Sequence, residues 1–201
     1  MLDRAAITAL RPATTAIARV LARVGVAANA ITWLAFALGC AAAACIASKA
    51  FGAGAMLIVL SRLCDALDGA VARQTQATDA GGFLDITLDF LFYAAVPLAF
   101  AVAEPAANGL PAATLLAAFM GTGSSFLAFA ALAAKRGLSN TDYPDKSIYF
   151  LGGLTEATET LAVFLAMCLW PQHFAWLAYG FAVLCVATTA TRIAWGWKAF
   201  Q

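Results

Sequence analysis

Four aspartates in a chain that is otherwise overwhelmingly apolar set the chemical question. Asp65 and Asp68 are three residues apart and Asp85 and Asp89 four apart, so on helices each pair shares one face. The polar stretch between the pairs makes the two helices antiparallel neighbours, and carboxylates converging from facing helices also build metal sites in soluble bundles. Left uncompensated, four nearby anions repel one another. One divalent cation, or two, resolves that conflict. All-oxygen ligation points to a hard ion, Mg²⁺ or Mn²⁺ with Ca²⁺ as a further option, and against zinc or copper. Hard ions on carboxylates are partners of phosphate groups. Gly69 permits close approach of a substrate to the backbone, and Arg73, one turn beyond Gly69, is a fixed cation suited to a phosphate oxyanion. A purely structural carboxylate cluster or an ion-conducting path is the competing reading of the same spacing.

The elements that position these residues are membrane spans. Of 201 residues 63% are hydrophobic and 11% charged, with mean hydropathy +0.84, outside the range of soluble globular domains. At roughly 20 apolar residues per span there is room for about six helices and no separate soluble domain. The chain reads as all-α: an interfacial amphipathic helix over residues 1–27, carrying Arg19 and Arg23 toward lipid phosphates, then a single six-span bundle over residues 28–195. The expected spans are residues 28–48, 51–73, 83–103, 112–134, 148–170 and 175–194, with polar connections at 74–82 and 137–147 and a turn at 104–111. With the N-terminus in the cytoplasm, eleven of the twelve Lys and Arg residues lie at the inner face and only Lys49 lies outside. That topology puts all four aspartates near the cytoplasmic side. No cleavable signal peptide is expected, and Cys40, Cys45, Cys64, Cys168 and Cys185 read as small core residues, without metal-site or disulfide spacing.

The residues also carry a family resemblance. Asp65-x2-Asp68-Gly69-x2-Ala72-Arg73, followed by Gly81-x3-Asp85-x3-Asp89, resembles the signature of the CDP-alcohol phosphatidyltransferases, with one residue fewer than usual between Arg73 and Gly81. The resemblance implies a six-helix integral enzyme that moves a substituted phosphoryl group from a CDP-linked donor to an alcohol and releases CMP. By similarity, Asp65, Asp68 and Asp85 would be metal ligands, and Asp89 would serve both the metal site and as general base. Gly69, Ala72 and Arg73 would contact the cytidine diphosphate. Asn29 and Thr32 match a place where relatives approach the nucleotide, although they also suit a plain helix start; Thr78 is a further donor-site candidate.

The implied cofactor is Mg²⁺ or Mn²⁺, two ions. The implied partners are a CDP-lipid donor, CDP-diacylglycerol first, a small polar or lipid alcohol as acceptor, membrane lipids and a second copy of the chain. Nucleic acid is not an expected partner. The same motif can also serve transfer of a head group from a soluble CDP-alcohol to a lipid alcohol, and a cation transporter using the acidic cluster is the alternative of another class. Glu156 and Glu159 either shape the acceptor pocket or pair with Arg62 or Arg192. Lys135, Arg136 and Lys146 suit a phosphorylated acceptor, as basic residues do in relatives using inositol phosphate or glycerol phosphate, or they simply follow the positive-inside rule. His173 reads as an interfacial residue. A bacterial inner membrane is the expected location, with the alanine-rich spans pointing to a high-GC genome.

Overall fold

The computed structural model of the protein describes residues 2–137 and 155–201, with side chains described from residue 11. It is helical throughout those residues: α1 (Leu2–Arg23), α2 (Ala28–Ala47), α3 (Phe51–Gln74), α4 (Asp79–Ala103), α5 (Pro105–Lys135), α6 (Ala157–Leu169), a 3₁₀ turn (Pro171–His173) and α7 (Phe174–Phe200). Among the described residues, four stretches are long and apolar enough to cross a membrane: α2, α4, α5 and residues 171–200. At 1.5 Å per residue the 20 residues of α2 extend about 30 Å, the thickness of a bilayer's hydrocarbon core. α3 is as long, but Arg62, Asp65, Asp68 and Arg73 lower its hydropathy. Residues 148–154 of the expected fifth span lie outside the described residues; its remainder is α6.

The turns explain where observed helices depart from the expected spans. Lys49 takes a left-handed conformation (φ 64°) and reverses the chain between α2 and α3. Its amine meets Glu104 at 3.1 Å, which brings the α2–α3 turn beside the α4–α5 turn. α4 begins four residues earlier than expected. The Thr78 hydroxyl accepts from the Gly81 amide at 3.1 Å, and this N-cap recruits Asp79–Gly82 into the first turn, where Asp79 suits the helix dipole. α5 likewise starts at Pro105, a residue well suited to a first helical position, and runs through Pro111 without a break. α7 continues past the expected end at residue 194 to Phe200.

Aromatic side chains fill the centre. Phe100 stacks on Phe174 at 4.5 Å and on Phe51 at 5.6 Å, and Phe92, Phe100, Phe164 and Phe174 are all essentially buried. Small residues let the helices approach. A Cβ on Gly39 of α2 would stand 2.7 Å from the Phe92 ring, so only glycine lets α4 lie so near. α1 joins the bundle where Ala18 packs with Ile31, Ala70 and Val71. Outside, large apolar side chains such as Leu98 (55% exposed) and Val183 (68%) face outward, which suits lipid and not water.

Candidate active site

The helices bring the carboxylates together from two sides. α3 presents Asp65 and Asp68 on successive turns, and α4 presents Asp85 one turn above Asp89. One carboxylate oxygen from each of Asp65, Asp68 and Asp85 lies within 4.8 Å of the others. Asp68 is buried, and its Oδ2 has no hydrogen-bond partner among the described residues. An orphaned carboxylate oxygen in an all-oxygen cluster fits a hard divalent cation and leaves the site under-satisfied without one. The donor set is right for Mg²⁺ or Mn²⁺.

Asp89 is placed differently from the other three. Its Oδ1 accepts from Arg62 Nη1 at 2.5 Å, and the same guanidinium nitrogen stands 3.5 Å from Asp65 Oδ2. By sequence, Arg62 is expected only as a possible mate for Glu156 or Glu159. The signal was present, however: a cation one helical turn before Asp65 on an apolar helix needs an anion nearby.

A cavity of about 800 Å³ opens over this cluster. Asp68, Asp85 and Asp89 line it, as do all six residues expected at the donor site: Asn29, Thr32, Gly69, Ala72, Arg73 and Thr78. Arg73 folds back over Gly69, where an added Cβ would meet its Nη1 at 3.4 Å. Asn29 packs on Gly81, where a Cβ would lie 3.0 Å from Asn29 Oδ1 and 3.2 Å from Thr78 Oγ1. The glycine thus lets the start of α2 touch the start of α4. Thr32 is buried and its hydroxyl donates to the Ala28 carbonyl at 3.2 Å, so it has a helix-internal bond while also lining the cavity. Thr78 serves as the α4 cap. It also lines the cavity, so the shortened loop reaches the cavity's edge.

The cavity's other end is built by α5, α6 and α7. Glu156 is buried there and caps α6, forming a reciprocal box in which its own amide donates to Glu159 Oε2 at 3.1 Å. Arg192, within electrostatic reach of Glu156, donates to the Thr122 carbonyl at 3.0 Å and lies over the Phe126 ring at 5.6 Å. Arg62 is taken by Asp65 and Asp89, which leaves Arg192 as the cation within electrostatic reach of Glu156. Thr155 hydrogen-bonds Thr188 at 3.0 Å through their hydroxyls. Arg192 and Thr155 were absent from the expected site because nothing in their local sequence marks them. Glu159 belongs to the helix cap and does not line the cavity. Lys135 and Arg136 do not line it either: Arg136 donates to the carbonyls of Ala199 (3.2 Å) and Phe200 (2.6 Å), tying the end of α5 to the end of α7. Lys146 lies outside the described residues.

The chain's relatives agree with this geometry. It is 50% identical over 193 residues to the inner membrane protein YnjF of Escherichia coli, covering 96% of this chain and 94% of the relative. Over 70 residues, 34% of this chain and 36% of the relative, it is 47% identical to archaetidylinositol phosphate synthase of Methanothermobacter thermautotrophicus. Among solved structures it is similar to Mycobacterium tuberculosis phosphatidylinositol phosphate synthase (PgsA1) with CDP-DAG bound, with TM-score 0.68 and 26% identity over 92% of this chain and 93% of that one. The same enzyme in complex with manganese and citrate superposes with TM-score 0.67 and 25% identity, over 92% of this chain and 88% of that one. Residues 25–192 match the CDP-alcohol phosphatidyltransferase family. With that match laid over the carboxylate triad and its cavity, the chain belongs to the CDP-alcohol phosphatidyltransferases, as an integral membrane phosphotransferase of phospholipid synthesis.

Proposed function

We propose that the protein transfers a phosphatidyl group from CDP-diacylglycerol to an alcohol and releases CMP. The observation that carries this reading is one cavity lined by Asp68 and Asp85 of the acidic triad together with Arg73 and Asp89. Asp65, Asp68 and Asp85 hold the divalent cations, two Mg²⁺ or Mn²⁺ ions, with Asp89 beside them. Bound there, such ions neutralise charge on the attacking and leaving oxygens of an in-line displacement. Arg73 binds a diphosphate oxygen, and Gly69 and Ala72 leave room for the diphosphate to lie on α3. Asn29, Thr32 and Thr78 bound the nucleotide on the α2 side.

Asp89 accepts the proton of the acceptor hydroxyl as its oxygen forms the new bond to the lipid-bearing phosphorus. The bond from that phosphorus to the CMP oxygen breaks, and CMP leaves as an anion. Such a base needs reach more than strength, because the hydroxyl is deprotonated only as its new bond forms. Glu156 and Arg192 face the acceptor's end of the cavity.

In the membrane we place six spans, with α3 and the span that ends in α6 joining the four apolar ones, α1 lying in the interface, and the cavity opening to the cytoplasm of a bacterial inner membrane. The whole chain acts as one domain, taken to pair as a homodimer; crosslinking in membranes tests the pairing. The reaction is tested by incubating purified protein with labelled CDP-diacylglycerol and each of glycerol phosphate, serine, inositol, inositol phosphate and a lipid alcohol. CMP release with one acceptor, lost by more than about 10²-fold in Asp89→Asn, is the expected result. Undiminished turnover in that variant overturns the base assignment, and absence of CMP release from every pair overturns the transferase reading.

A further inference from the structure

Arg62 is the feature of the site that carboxylate spacing does not call for. Its side chain is only 12% exposed, yet it stands among acidic groups of two helices, with Nη1 2.5 Å from Asp89 Oδ1 and 3.5 Å from Asp65 Oδ2. The far side of the guanidinium is braced. Nη2 lies 3.1 Å from Ser61 Oγ, and the Ser61 hydroxyl donates onward to the Ala35 carbonyl of α2 at 2.7 Å, fully buried. The guanidinium carbon sits over the Phe92 ring, 4.1 Å from its centroid. Phe92 cannot swing away, because it is packed against Tyr93 at 5.5 Å, Phe164 at 6.2 Å and the Gly39 notch. The guanidinium is therefore fixed by the core of α2 and α4, and in turn it ties one oxygen of Asp89.

We propose that Arg62 is a positioning residue: it orients Asp89 for proton transfer and, as a resident cation beside Asp65, weakens the hold of the acidic triad on divalent ions. The first part rests on the reading of Asp89 as the base. A planar, braced guanidinium fixes a carboxylate's orientation in a way that a flexible ammonium does not. The second part follows from charge alone, since a cation in contact with Asp65 and Asp89 opposes the arrival of another. Asp89 also lines the cavity, so the tied carboxylate still faces the acceptor.

The experiment compares Arg62→Gln, Arg62→Lys and Ser61→Ala in the purified full chain, reading Mn²⁺ affinity without substrate by electron paramagnetic resonance, and kcat and KM for CMP release. Arg62→Gln is expected to bind Mn²⁺ roughly tenfold tighter, within the usual range of coupling between adjacent sites. Its kcat should fall about 10²-fold, as a displaced reacting group does, with KM for CDP-diacylglycerol held within about threefold. Arg62→Lys should return Mn²⁺ affinity to that of the wild type and recover only part of kcat. Unchanged or weaker Mn²⁺ binding in Arg62→Gln, or unchanged kcat, overturns the proposal. Should Arg62→Gln fail to fold, Ser61→Ala removes the brace and keeps the charge: lowered kcat at unchanged Mn²⁺ affinity supports the assignment, and wild-type kcat overturns it. If the wild-type chain releases no CMP, the transferase reading fails, while the Mn²⁺ shift still tests Arg62.

Discussion

Replacing Asp68 by Asn should make the protein more stable without metal and less stable with it. Asp68 is 5% exposed and its Oδ2 has no hydrogen-bond partner among the described residues, so as an anion it is desolvated without full compensation. Oxygens of Asp65 and Asp85 stand within 4.8 Å of an oxygen of Asp68. At that separation and an effective dielectric of about 20, each pair of charges repels by about 3.5 kcal/mol. Water at the cavity mouth and the attraction of nearby Arg62 offset much of this, leaving a net gain of about 2 kcal/mol for the isosteric amide in the metal-free protein. For a chain of this length that corresponds to a rise of about 4–8 °C in Tm. With Mn²⁺ at a hundred times its Kd, the wild type instead gains about 2.7 kcal/mol, which the variant, lacking one ligand, forfeits in large part. The assay is thermal unfolding of both proteins in the same detergent, once in EDTA and once in Mn²⁺. Their order of stability should reverse. A variant that melts below the wild type in EDTA, or that gains as much from Mn²⁺, refutes the argument that this carboxylate is present for a cation.

Other perturbations test other parts of the structure. Gly39→Ala should cost about 1–3 kcal/mol, because its Cβ would meet a Phe92 ring that has no room to retreat; unfolding in denaturant measures it. Thr78→Ala should lose about 1 kcal/mol with the α4 cap, and Thr78→Ser should restore it, read by the same method. Arg136→Gln should leave KM for the acceptor unchanged while raising amide hydrogen exchange at the end of α7, whose carbonyls it binds; a KM increase above about tenfold would return Arg136 to the acceptor site.

Local features of the sequence were legible and long-range ones were not. The starts of α2 and α3 follow from hydropathy interrupted at Lys49, and the face shared by Asp65 and Asp68 follows from helical spacing. The start of α4 did not, since Asp79-Ala80-Gly81-Gly82 has the composition of a loop and becomes helical only through the Thr78 cap and the contact with Asn29. Pro111 resembles a helix end, yet α5 passes through it. The gathering of Gly69, Ala72, Arg73 and Thr78 around one cavity follows from α3 and α4 being antiparallel neighbours. The pairing of Arg62 with Asp89, 27 residues away, and the clasp of Arg136 on Phe200, 64 residues away, depend on how helices pack. Neither is written in spacing.

The charges on α3 bear on how the chain enters the membrane. A translocating segment is judged partly by its own free energy of transfer, and each Asp or Arg near the centre of a span adds about 2.5–3.5 kcal/mol. Arg62, Asp65 and Asp68 therefore make α3 a poor stop on its own. α2 is free of charged side chains, and the single left-handed residue Lys49 joins the two helices closely enough for them to pair. On the six-span reading, α2 and α3 partition together as a hairpin, and a flexible linker placed at Lys49 should leave α3 on the wrong side of the bilayer.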